Sequence, residues 1–131
     1  MVYIAGFYAG LSGLLLLALA YRVVRFRRDE KVGVGTGGKH SGAVLVRAHG
    51  NAVEYLPTAL LLMLIAELNG LEALWLHLLG SALVLGRLLH AYGLTAGRGG
   101  YHLGRFWGTI FTWVVIFAFA LINIFYVLRA A

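Results

Sequence analysis

VYIAGFYAGLSGLLLLALAY, residues 2–21, contains no charged side chain. At a helical rise of ~1.5 Å per residue it is long enough to cross a hydrocarbon layer of ~30 Å, so it reads as a transmembrane helix. The triplet Ala18-Leu19-Ala20 imitates a signal-cleavage site, but no basic residue precedes the apolar run and a basic cluster follows it. That order is the reverse of a signal peptide, and the span is expected to be retained.

Three further apolar runs follow, at about 43–68, 71–89 and 106–128. With the first they predict an all-α fold, an integral membrane four-helix bundle of antiparallel neighbours, in a single domain over 1–131. Composition agrees: 61% of the chain is hydrophobic and 12% charged, the mean hydropathy is +0.85, and there is no cysteine. A soluble enzyme, a disulfide scaffold and a disordered chain are all excluded by those proportions.

The formal charge of +6 would suit nucleic acid if it were spread over a soluble face. It is instead concentrated between spans, so no nucleic-acid partner is expected. The first connection, about 22–42, carries Arg22, Arg25, Arg27, Arg28, Lys31 and Lys39; the second, Glu67 to Glu72, has no Lys or Arg; the third, about 90–105, carries Arg98 and Arg105. The positive-inside bias assigns the first and third connections to the cytoplasm and both termini to the outside.

Two glycine patterns have simple readings. Gly33-Val-Gly35-Thr-Gly37-Gly38-Lys39 nearly fits a phosphate-binding loop, but no strand precedes it and His40 follows the lysine, so it reads as a turn. Gly6-xxx-Gly10 and Gly104-xxx-Gly108 are small-residue spacings that let helices approach closely.

The chemistry lies in Arg47-Ala-His-Gly-Asn51-Ala-Val-Glu54-Tyr55-Leu-Pro57-Thr58, which opens the second span. At about 100° per residue, Arg47, Asn51, Glu54, Tyr55 and Thr58 share one helical stripe and His49 points away from it. A carboxylate as deep as Glu54 requires a cation, a donor or water. Pro57 removes one backbone bond, which would open the helix locally. Arg87 and His90, three apart on the third span, lie at the same end of the bundle, as do Arg105 at the start of the fourth span and Arg25, Arg27 and Arg28 at the exit of the first. The plain reading is a snorkelling Arg47 with Asn51 and Glu54 as interhelical glue. The functional reading is a site whose guanidiniums pair with carboxylates while Glu54 takes an ammonium. Glutathione, with two carboxylates, one ammonium and a thiol, fits that charge pattern, and the cysteine-free chain would have to import any thiolate. No metal site is expected.

Arg47-xxx-Asn51-xx-Glu54-Tyr55-x-Pro57 resembles the second-helix signature of the MAPEG family, the membrane-associated proteins of eicosanoid and glutathione metabolism. The Arg-rich exit of the first helix, Val32-Gly33, and Gly86-Arg87-Leu-Leu-His90 are similar to its bacterial branch in order and spacing, and the likeness covers nearly the whole chain. It implies a homotrimer in the bacterial inner membrane, with glutathione as co-substrate held between protomers near the cytoplasmic face, and a transferase or peroxidase acting on a lipophilic small molecule that arrives from the membrane lipids. By the same resemblance Arg47, Asn51, Glu54 and Tyr55 contact glutathione, with Arg87, His90 and one of Arg25, Arg27 or Arg28. Arg105 matches the thiol-activating arginine, with Arg98 as its rival. Leu94 stands where eukaryotic members have a ligand-binding Tyr, and Phe106 and Thr109 replace a Ser and a Tyr. Two other readings are a non-catalytic lipid-binding adapter of the same fold and a small proton-coupled multidrug transporter titrating Glu54.

Overall fold

A computed structural model describes residues 2–130. They form four helices, α1 Ile4–Asp29, α2 His40–Leu68, α3 Ala73–Ala96 and α4 Leu103–Ala130. Each is long and apolar enough to span a membrane, and there is no strand among the described residues. α2 and α3 occupy the middle: each touches the other and both outer helices, whereas α1 and α4 make no contact among the described residues. The core is a seam of small and branched side chains, including Ala52, Leu56, Ala59 and Met63 of α2, Leu76 and Leu83 of α3, and Val115 and Phe119 of α4. Phe7, Leu14, Leu17, Trp107, Trp113 and Phe117 point outward, as expected where the solvent is lipid.

The helices outrun the apolar spans. Arg22–Asp29, expected in the first connection, continues α1, because nothing between them breaks a helix and Arg25 pairs with Asp29 one turn on, at 3.8 Å. Likewise α3 continues past 89 to Ala96 and α4 already begins at Leu103. The first connection shrinks to a turn with positive φ at Gly35, Gly37 and Gly38, tied by an ion pair between Lys39 and Glu30 and by Arg27 Nε donating to the Gly35 carbonyl at 3.2 Å. α2 runs unbroken through Pro57.

α3 and α4 make the most extensive helix contact, and glycine is the cause. A Cβ at Gly108 would strike the Gly86 carbonyl and the His90 backbone, and one at Gly93 would strike the Arg105 amide. Gly104-xxx-Gly108 is thus a backbone-to-backbone contact. Gly6 and Gly10 differ: among the described residues no atom of another helix lies within 4 Å of a Cβ built on either. At the far end of α1, the Glu67 carboxylate accepts from the amides of Tyr3, Ile4 and Ala5 at 3.0, 3.0 and 2.7 Å. Those donors have no partner within a helix, and a carboxylate there is also favoured by the helix dipole.

Candidate functional site

α2 carries two polar assemblies, and they differ in burial. In the first, Arg87 crosses from α3 with 2% of its surface exposed. Its Nη1 donates to Asn51 Oδ1 at 2.6 Å and its Nη2 to the Gly108 carbonyl of α4 at 3.1 Å. The close packing of Gly86 on Gly108 brings that carbonyl within reach. Thr112 Oγ1 donates to the same carbonyl at 2.9 Å. The guanidinium lies 5.5 Å from the centre of the Tyr55 ring, a cation–π contact that supplements the two hydrogen bonds. The buried Nε has no hydrogen-bond partner among the described residues. One side chain thus joins three helices at one depth, through Asn51 and Tyr55 of the predicted stripe.

The second assembly faces outward. Arg47 Nη1 and Nη2 donate to Glu54 Oε1 and Oε2 at 2.8 and 3.1 Å, a two-pronged pair two turns apart on one helix, with 58% and 51% of the two side chains exposed. The carboxylate that the sequence required to find a partner finds it on its own stripe. His49, on the other side of α2, lines a groove toward α1 with Val23 and Arg27.

His90, one turn beyond Arg87, is 5% exposed, and Arg87, Arg105 and Arg47 all act on it electrostatically. Arg105 sits on α4, where its Nη1 donates to the carbonyls of Gly99 and Gly100 at 2.7 and 3.2 Å. These bonds fix the guanidinium on a groove of about 400 Å³ that is lined by Tyr101, His102, Phe106, Thr109, Ile110 and Trp113. A cation at the head of an aromatic groove suits an apolar molecule with an electron-rich or anionic end. Arg25 pairs with Asp29, Arg27 binds the Gly35 carbonyl, and Arg28 is exposed. None of the three joins the Arg87 or the Arg47 assembly. Of the predicted residues, then, Asn51, Tyr55 and Arg87 meet directly, Arg47 and Glu54 meet each other, and Arg105 stands apart. No group of three or more His, Cys, Asp or Glu suited to a metal occurs among the described residues.

Sequence reasoning missed Gly108 as the acceptor for Arg87, and it missed a second cluster. Tyr8, buried on α1, places its hydroxyl 2.8 Å from Ser81 Oγ, 3.1 Å from His77 Nδ1 and 3.0 Å from the His77 carbonyl of α3. The spacing of His77 and Ser81 by one helical turn was the available signal.

Against known proteins, the sequence profile of the MAPEG family matches residues 5–125. Two Escherichia coli proteins, from strains K12 and O6:H1 CFT073, each called inner membrane protein YecN, are 39% identical over 126 residues, covering 94% of this chain and 92% of theirs.

Proposed function

Because this chain belongs to the MAPEG family, we propose that it is a glutathione-binding protein of the inner membrane, a transferase or peroxidase that activates the glutathione thiol. The observation that carries the reading is the outward-facing Arg47–Glu54 fork on a membrane-spanning helix. An ion pair half exposed at that position can exchange partners: Arg47 with a carboxylate of glutathione, Glu54 with its ammonium. Asn51, Tyr55, Arg87 and His90 provide the firm wall behind it. A second copy covering this face would keep the pair out of lipid, and Gly6 and Gly10, where an added Cβ would meet no neighbouring helix among the described residues, offer a close-approach surface for that contact. The assembly proposed is a homotrimer with glutathione between protomers.

Arg105 is the proposed thiol activator. A free thiol has a pKa of about 8.5, lowered to ~3.5–7.5 beside a cation. The sulfur proton is released to water. The thiolate then forms a bond to the electrophilic carbon of a lipophilic substrate as the leaving group departs, or takes the terminal oxygen of a hydroperoxide as the O–O bond breaks, the alkoxide leaving as an alcohol with a proton from water and the resulting glutathione sulfenic acid condensing with a second glutathione to the disulfide and water. Glutathione reaches the site from the cytoplasm, where it is abundant and reduced, with both termini on the other side. The apolar reactant arrives from the bilayer along the aromatic groove beside Arg105.

One observation favours a second reading, the lipid-binding adapter. Leu94 is 2% exposed against Val44 and Ala48 and offers no hydroxyl where eukaryotic members present one. The transporter reading is the weakest, since a coupling carboxylate should titrate alone and Glu54 is held by two bonds from Arg47. The deciding experiment is Arg105→Ala. Calorimetry should find most glutathione affinity retained, while the ultraviolet thiolate signal and turnover with a chloronitrobenzene fall by at least about tenfold. Wild-type protein that binds glutathione but shows neither thiolate at neutral pH nor turnover would sink the enzyme reading and leave the adapter.

A further inference from the structure

At the basic end of the bundle, a groove of about 360 Å³ opens between the first turns of α2 and the last turn of α3. It is lined by His40, Ser41, Val44, Leu45, Thr95 and Arg98. It shares no residue with the Arg47–Glu54 stripe or with the groove beside Arg105. Its chemistry changes with depth. At the mouth stand the Arg98 guanidinium, the His40 imidazole and the Ser41 hydroxyl, and Arg22 reaches in from α1 with its Nη1 3.4 Å from Thr95 Oγ1. One turn further along α2 the lining becomes Val44 and Leu45. The acids at this end are engaged elsewhere, Glu30 with Lys39 and Asp29 with Arg25, which leaves the mouth positive.

The backbone at the end of α3 fixes where Arg98 stands. Arg98, at φ 48°, is the left-handed residue that closes α3: its amide donates to the Thr95 carbonyl at 3.1 Å and the Gly99 amide to the Leu94 carbonyl at 2.9 Å, the same ending that Lys31 gives α1. The Arg98 carbonyl is 2.7 Å from His40 Nε2, which ties this turn to the start of α2. The uncapped start of α2 adds its own partial positive charge.

We propose that this groove binds an anionic phospholipid. Its phosphodiester sits against Arg98 and Ser41, and one acyl chain lies along Val44 and Leu45. Basic pockets between membrane helices select such headgroups by charge, and the polar-then-apolar order along α2 matches the order of a phospholipid from headgroup to chain. The site does not depend on the glutathione reading.

The test is native mass spectrometry of the full chain in detergent micelles supplied with equal amounts of phosphatidylglycerol and phosphatidylcholine. The protein should retain phosphatidylglycerol at least about fivefold over phosphatidylcholine. Arg98→Gly removes the guanidinium and relaxes the backbone, and should erase that preference. Leu45→Trp, which fills the apolar half without changing charge, should cut retained phosphatidylglycerol about as far. Arg25→Ala, which removes the same charge from the same end but outside the groove, should leave the preference intact. A large excess of inorganic phosphate should not displace the lipid. Equal retention of the two lipids overturns the proposal, as does loss of preference in Arg25→Ala, displacement by phosphate, or an inert Leu45→Trp. Glutathione enters none of these readouts.

Discussion

Arg87 and Arg47 both serve α2, and their circumstances are opposite. Arg87 arrives from another helix, is sealed from solvent and donates to Asn51 and to the Gly108 carbonyl. Arg47 belongs to α2 itself, is more than half exposed and forks onto Glu54. A buried cation whose acceptors come from two other helices is fixed in place, since leaving it unpaired is expensive. An exposed pair on a single helix can exchange its partner for the opposite charges of a ligand, so that neither group is left unpaired. The same residue type thus holds helices together in one place and remains available to a ligand in the other.

The comparison breaks most visibly at Asn51. Asn51→Leu leaves the buried Arg87 Nη1 without its side-chain acceptor and should lower stability by about 2–4 kcal/mol, read as a fall in the thermal midpoint by circular dichroism in detergent. An unchanged midpoint would mean that Arg87 contributes nothing to holding the bundle. Next in size, Arg47→Ala and Glu54→Ala should each weaken glutathione binding by about 1.5–3 kcal/mol in calorimetry, with little change in melting. Unaltered affinity in both variants would return the fork to the role of interhelical glue. The smallest effect belongs to Arg25→Ala, which removes a pair exposed by 70% and 65% and should shift stability by less than about 0.5 kcal/mol. A larger loss would show that this end of α1 does more than meet solvent.

The fold was legible because four long apolar runs leave no alternative to membrane helices, and the α2 stripe was legible because a period near 3.6 aligns Arg47, Asn51 and Glu54. Helix ends were less so: hydropathy marks where lipid stops, whereas Arg22–Asp29 stays helical on propensity and local pairing. Burial was not legible either. Arg47 and Arg87 are the same letter, and what separates them is the backbone contact of Gly86 with Gly108, a meeting of two helices that no single-helix pattern contains. Similarly, Gly6-xxx-Gly10 and Gly104-xxx-Gly108 share one spacing, and only three-dimensional packing distinguishes the pair that meets α3 from the pair that faces outward. The Glu67 clasp escaped notice because its partners are backbone amides, which leave no trace in a list of side chains.

That clasp bears on the order in which the molecule is made. Every atom of it lies within residues 3–67, from the residue before α1 to the last turn of α2, and none comes from α3 or α4. A growing chain therefore possesses the complete fastening before the second hairpin exists. Sliding α1 along α2 by one residue would move the amides of Tyr3, Ile4 and Ala5 away from the carboxylate together, so the alignment of the first two helices is fixed early and handed on as a finished template to the two that follow.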